Sequence, residues 1–167
     1  MTPDDVEITR GGAELLDHVR PLWLALRTHH NRIAPDLGPV RDDDDTWRRR
    51  RAQYEGWLED PRCFVLLARR QHRAVGYAFV RVEEAASPTW TTPQTVADLE
   101  TLSVVPEARG AGVGARLIAL VREEVEREGY EALYLTAVAT NRDALRFYER
   151  EGFEPTFIVL RDIRRRP

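Results

Sequence analysis

Apolar residues recur every three or four positions at Leu15, Leu16, Val19, Leu22, Trp23 and Leu26. This spacing predicts an amphipathic helix, with a kink or a division at Pro21. A loop over 31–41, carrying Pro35, Gly38 and Pro39, should follow. A second stripe of Trp47, Tyr54, Trp57 and Leu58 predicts another helix. Asp42, Asp43, Asp44 and Asp45 stand at its start, where carboxylates cap a first turn. Asp44–Arg48 and Asp45–Arg49 have the four-residue spacing of helical ion pairs.

The period then changes. Residues 6–9, 64–68, 74–82 and 96–105 are strand-like, and the polar turn at Gln71 and His72 predicts an antiparallel hairpin. Residues 83–95 form a loop or a strand extension. Val113, Leu117, Val121 and Val125 mark one face of a helix ending near Gly129. A strand at 132–138, a short helix at 141–150 and a last strand at 153–160 complete the order. The pattern predicts a mixed α/β (α+β) domain whose central sheet is mostly antiparallel and flanked by helices.

Residues 104–114 read Val-Val-Pro-Glu-Ala-Arg-Gly-Ala-Gly-Val-Gly, at the junction of a strand and a helix. Gly110, Gly112 and Gly114 lack the side chains that keep a phosphate away from backbone N–H groups. The following helix adds unpaired donors and the positive end of its dipole, and Arg109 adds a fixed charge. A diphosphate-bearing cofactor is the expected ligand. A dinucleotide fold would carry its glycines near the first strand, with an acid about 20 residues later. A P-loop requires lysine, and all 25 basic residues here are arginine. Neither reading fits.

Composition narrows the rest. At 167 residues the chain reads as one domain, 1–167. Its net charge of −3 and lack of a basic face argue against nucleic acid. Cys63 has no internal partner, which suits a reducing compartment. No signal-peptide pattern or membrane-length apolar run is present, so a cytoplasmic protein without membrane association is expected. The four histidines lack metal-ligand spacing, and no metal is expected.

Three separated features resemble the GNAT superfamily of acetyl-CoA-dependent N-acetyltransferases. Arg109-Gly110-Ala111-Gly112-Val113-Gly114 matches its Arg/Gln-x-x-Gly-x-Gly/Ala signature, after a strand ending Leu102-Ser103-Val104-Val105-Pro106. Asn141-Arg142-Asp143-Ala144-Leu145-Arg146-Phe147-Tyr148 matches its Asn-x-x-Ala-x-x-Phe-Tyr element, and Glu151-Gly152-Phe153 its Gly-Phe element. The resemblance covers about residues 96–160, the implied acetyl-CoA core. It assigns the helices at about 12–60 to the acceptor side.

The resemblance also implies roles. Main-chain N–H groups from Arg109 through Ala115 would hold the pyrophosphate. Leu102, Ser103 and Val104 would lie along pantetheine, between strands that splay, with the Val104 N–H polarising the thioester carbonyl. Asn141 would cap its helix and bind pantetheine. Tyr148 would protonate the departing thiolate, or else only pack with Phe147. An alkyl ammonium must lose a proton before it attacks. Strict alternation places Asp98, Glu100, Leu102 and Val104 on one face. Glu100 ranks ahead of Asp98 as the base, being nearer the thioester; the alternative is pairing with an arginine of the second helix or a loop. Thr136 offers no titratable group. The implied reaction is direct transfer to a primary amine, with Cys63 uninvolved. The acceptor is open between a small-molecule amine and a peptide amine, a protein N-terminus or lysine. A non-catalytic acyl-CoA-binding regulatory module is the rival, and a homodimer is one assembly the resemblance allows.

Overall fold

The computed structural model describes residues 5–162. Five strands form one sheet in the order of the chain: β1 (Glu7–Gly11), β2 (Phe64–Arg70), β3 (Arg73–Glu84), β4 (Thr95–Val104) and β5 (Leu133–Leu135). The first four are antiparallel, and β5 runs parallel to β4. Four helices flank them: α1 (Leu16–Ile33), α2 (Asp43–Leu58), α3 (Val113–Arg127) and α4 (Arg142–Arg150). The predicted order is present as far as α4, and the sheet is mostly antiparallel.

The sheet is buried on both faces. On one, Leu66, Ala78, Val80 and Leu99 pack against Val113, Leu117, Ile118 and Val121 of α3. On the other, Val65, Leu67, Tyr77 and Phe79 pack against Leu16, Val19 and Trp23 of α1 and Trp47 and Tyr54 of α2. Alternate residues of β2 and β3 divide between these cores, as the pleat requires.

Several expectations change. α1 runs unbroken through Pro21. The hydrogen bond that Pro21 cannot donate would reach the carbonyl of Asp17, and both residues are exposed, so water can satisfy it. At the start of α2, Asp42 Oδ1 accepts from the Asp45 N–H at 2.8 Å, a side-chain cap. Asp45 pairs with Arg49 as expected, but Asp44 turns to Arg20 of α1 instead of Arg48. The strand expected over 132–138 shortens to three residues. The segment expected as a last strand at 153–160 joins no strand among the described residues, and Phe157, Ile158, Val159 and Leu160 are 77–89% exposed. High β-propensity needs a partner backbone to become a strand, and β5 offers a very short edge.

Candidate active site

The decisive irregularity is a bulge in β4. Phe79 of β3 faces Thr101 and Val80 faces Leu99, which leaves Glu100 as an extra residue without an opposite number. A bulge of one residue resets the alternation of side chains. Leu99 therefore shares the α3 face with Leu102 and Val104. Thr101 turns to the other face, where its hydroxyl meets Tyr54 of α2 at 2.8 Å, and Ser103 Oγ donates to the Leu22 carbonyl of α1 at 3.2 Å. Asp98 and Glu100 join that second face. The single-face alignment expected for Asp98, Glu100, Leu102 and Val104 is corrected: the two carboxylates look toward α1 and α2, away from Leu102 and Val104.

There they meet arginines. Glu100 accepts from Arg50 of α2 at 2.8 Å and lies 3.3 Å from Arg81 of β3. Arg81 also holds Asp98 through Nε at 2.9 Å and a terminal nitrogen at 2.8 Å, and stacks over Trp57. Burial raises the Asp98 carboxyl above its ordinary value, against the pull of Arg81 and with repulsion from Glu100 and Glu83 adding to it. Asp98 is the more enclosed, at 11% side-chain exposure against 21% for Glu100. Sequence reasoning allowed for an arginine partner from α2 but not for Arg81. Three buried hydroxyls lie beneath the bulge: Tyr54 reaches Thr101 at 2.8 Å and Tyr77 at 3.3 Å. Burial raises both phenols, so both stay protonated.

Beyond the bulge β4 loses its second neighbour. Pairing with β5 covers only Ala97, Asp98 and Leu99. The Val105 N–H donates to Val75 on the β3 side at 2.9 Å, so the N–H and carbonyl of Val104, one residue earlier, point to the open edge. The Val104 carbonyl accepts from Arg109 Nε at 3.0 Å there. Pairing between β4 and β5 thus ends before Leu102 and Val104.

A short 3-10 turn, Pro106–Ala108, leads from β4 into the glycine-rich bend. Gly110 and Gly112 adopt φ of 76° and 77°, the left-handed region that side chains disfavour. Gly112 is the N-cap of α3 and provides no side-chain acceptor. The amide of Arg116 is bonded back to the Gly112 carbonyl, and those of Val113, Gly114 and Ala115 precede it in the first turn, without intrahelical partners. A Cβ added at Gly110 would meet no atom within 4 Å, so the mouth of this cradle is open. Backbone donors, a helix dipole and Arg109 suit a pyrophosphate. Gly114 serves the packing instead. A Cβ there would stand 3.1 Å from Phe147, so its absence lets α4 approach α3.

α4 carries the second motif. Asn141 caps it, its Oδ1 accepting from the Ala144 N–H at 3.3 Å. Tyr148 packs between Phe147 and Phe153, with ring centroids 5.4 and 5.7 Å away. Burial pushes its phenol up to about 12. Cys63 is buried, its sulfur accepting from the Val82 N–H, and burial raises its thiol as well. No group of three or more metal-ligating side chains occurs among the described residues.

The profile of the Acetyltransferase (GNAT) family matches residues 23–153. The chain belongs to that family. A mycothiol acetyltransferase of Cellulomonas flavigena is 30% identical over 171 residues, covering 84% of this chain and 49% of that protein. An aminoalkylphosphonate N-acetyltransferase of Salmonella typhimurium is 32% identical over 98 residues, covering 58% of this chain and 60% of that one. The chain spans less than half the length of the mycothiol acetyltransferases it matches. Among solved structures, an aminoglycoside N-acetyltransferase in complex with CoA superposes with a TM-score of 0.69 at 22% identity, over 96% of this chain and 95% of the other. A GCN5-related N-acetyltransferase of Ralstonia eutropha gives 0.75 at 18% identity, over 95% and 98%. These likenesses establish the GNAT fold. No helix among the described residues is long and apolar enough to cross a membrane.

Proposed function

We propose that this GNAT protein is an acetyl-CoA-dependent N-acetyltransferase that acts on a primary amine by direct transfer. The observation that carries the reading is the pairing of an unobstructed amide cradle at residues 109–115 with the open edge of β4 beside it. Acetyl-CoA, when bound, supplies the acetyl group as a thioester with a good leaving group. The amides of Arg109, Gly110, Ala111, Gly112, Val113, Gly114 and Ala115 hold the diphosphate. Leu102, Val104 and Asn141 line the pantetheine path, with Ser103 between the first two turned toward α1. The Val104 N–H is the donor for the carbonyl oxygen, a role for which one backbone group typically contributes about 3 kcal/mol.

Proton handling falls to three side chains. Glu100, ahead of the more enclosed Asp98, takes the proton of the acceptor ammonium, directly or through water. Tyr148 Oη holds the proton that the departing sulfur requires, and its raised pKa keeps it protonated throughout the working pH range. The new N–C bond forms as the C–S bond breaks, leaving CoA as a thiol. The buried Cys63 thiol, with its raised pKa, takes no part.

A small-molecule acceptor is favoured by the likeness to aminoalkylphosphonate and aminoglycoside N-acetyltransferases, and a soluble, cytoplasmic setting by the single Cys63, which has no internal disulfide partner. The exposed apolar residues 157–160 favour a homodimer. Calorimetric titration of CoA, followed by thiol release across an amine panel, tests the reading. Micromolar CoA binding and amine-dependent release are expected. Absence of CoA binding overturns the proposal, and binding without release from any amine favours a regulatory acyl-CoA-binding module.

A further inference from the structure

Beside the apolar stripe of Trp47 and Tyr54 that packs on the sheet, α2 carries a polar one. Thr46, Arg49, Arg50 and Gln53 fall at the i, i+3, i+4, i+7 spacing of one helix face. Together with Trp23 of α1, Arg41 and Arg48 they line an open cavity of about 590 Å³. Its charge is unbalanced. Arg41, Arg48 and Arg49 all converge on the single carboxylate of Asp45, which Arg41 reaches at 3.4 Å and Arg49 at 3.1 Å. A guanidinium has five N–H donors, and Arg49 gives Asp45 only its Nε. Of the other acids at this end of α2, Asp43 pairs with Arg27, Asp44 pairs with Arg20, and Asp42 caps the helix by accepting from the Asp45 N–H. One lining residue also reaches the β4 bulge. Arg50 lines it, stacks over Trp23 with 5.5 Å to the ring centroid, and donates to Glu100 at the β4 bulge.

We propose that this cavity is the acceptor subsite, and that it selects small amines carrying an oxyanion, a carboxylate or a phosphonate. The inference rests on the transferase reading above. The amine nitrogen lies at Glu100 and the anion at the arginines of α2 that line the cavity. Guanidiniums with spare donors bind such anions in forked geometry. The same excess positive charge disfavours a polycationic acceptor, because like charges repel across a cleft.

Direct binding and turnover test it together. Methylphosphonate is titrated calorimetrically into the full chain, with and without CoA, against its neutral dimethyl ester. Turnover of β-alanine and of aminomethylphosphonate is compared with that of β-alanine amide and spermidine. Saturable methylphosphonate binding is expected, absent for the ester and weakened about 10-fold or more in Arg49→Ala and Arg48→Ala. Both anionic amines should exceed the amide by about 10-fold or more in kcat/KM, and Arg49→Ala should collapse that preference. The two anionic arms distinguish a carboxylate from a phosphonate acceptor. Arg62→Ala, paired with Asp60 outside the cavity, serves as the control. Equal binding of the ester, no binding of methylphosphonate, or preference for spermidine overturns the proposal. Loss of CoA binding alone overturns the transferase reading instead, since the titration without CoA still reports on the cavity.

Discussion

The hydroxyls of Tyr54 and Thr101 meet at 2.8 Å beneath the β4 bulge, tying α2 to the strand one residue after Glu100. Both are buried, and Tyr77 adds a longer contact at 3.3 Å. This pair fixes which way β4 faces after its irregularity. Tyr54→Phe removes one buried hydrogen bond and leaves Thr101 short of a partner, a loss of about 1–3 kcal/mol. Thermal unfolding should fall by several degrees, about 2–4 °C per kcal/mol for a domain of this size. An unchanged midpoint would remove the pair from the account of the bulge.

Glu100→Gln keeps a hydrogen-bonding partner for Arg50 while abolishing the carboxylate. Without a base, only amine that is already neutral reacts, so the rate profile should move toward higher pH, approaching the acceptor's own pKa. Asp98→Asn should affect the profile less and stability more, since it removes a carboxylate that Arg81 grips through two nitrogens. Steady-state rates from about pH 6 to 10 check both, and an unmoved Glu100→Gln profile eliminates it as the base.

Tyr148→Phe should lower turnover by about 10-fold to 100-fold, in the range typical of a lost general acid or less, with CoA affinity nearly unchanged. The sign of its pH dependence follows from burial. The folded phenol titrates near 12 and the unfolded one near 10, so the unfolded chain loses its proton first. Tyr148 therefore adds no pH dependence to stability below about 10, and stability falls as pH rises from there toward 12. Denaturant unfolding across that window should be steeper in the parent than in Tyr148→Phe.

Gln71 and His72 join β2 to β3 with φ of 49° and 66°. Two successive positive φ values in a two-residue loop are the mark of a type I′ turn, which Asn-Gly adopts with little strain. Replacing Gln71-His72 by Asn-Gly should stabilise the chain by about 0.5–1 kcal/mol, read as a higher denaturant midpoint with unchanged slope. A lower midpoint would show that these side chains contribute more than their backbone costs.

Ile158 and its neighbours present contiguous apolar surface. If two copies cover it, Ile158→Asp should shift sedimentation toward the monomer, because a buried unpaired carboxylate opposes association. A parent chain that sediments as a monomer removes the homodimer.

Much of this was legible in the chain itself. The helices at Leu16, Trp47 and Val113 follow from apolar spacing, and the cradle from glycines where a strand meets a helix. Asn141 is read as a cap from its place before a short amphipathic helix. These are local matters, because propensity, positive φ and helix-end donors depend on neighbours in sequence. The bulge at Glu100 was not legible. Nothing in Asp-Leu-Glu-Thr-Leu announces an extra residue, which exists only relative to the register of β3. With it went the facing of both carboxylates and their partners Arg50 and Arg81, which lie 50 and 17–19 positions away. The unpaired segment at 157–160 has the same cause: β-propensity belongs to a residue, but a ladder belongs to two strands. The sequence by itself determined where backbone could cradle an anion and which segments coil or extend. Only the tertiary structure decided which side chains meet at the reaction centre, because register, bulges and long-range ion pairs are properties of segments brought together.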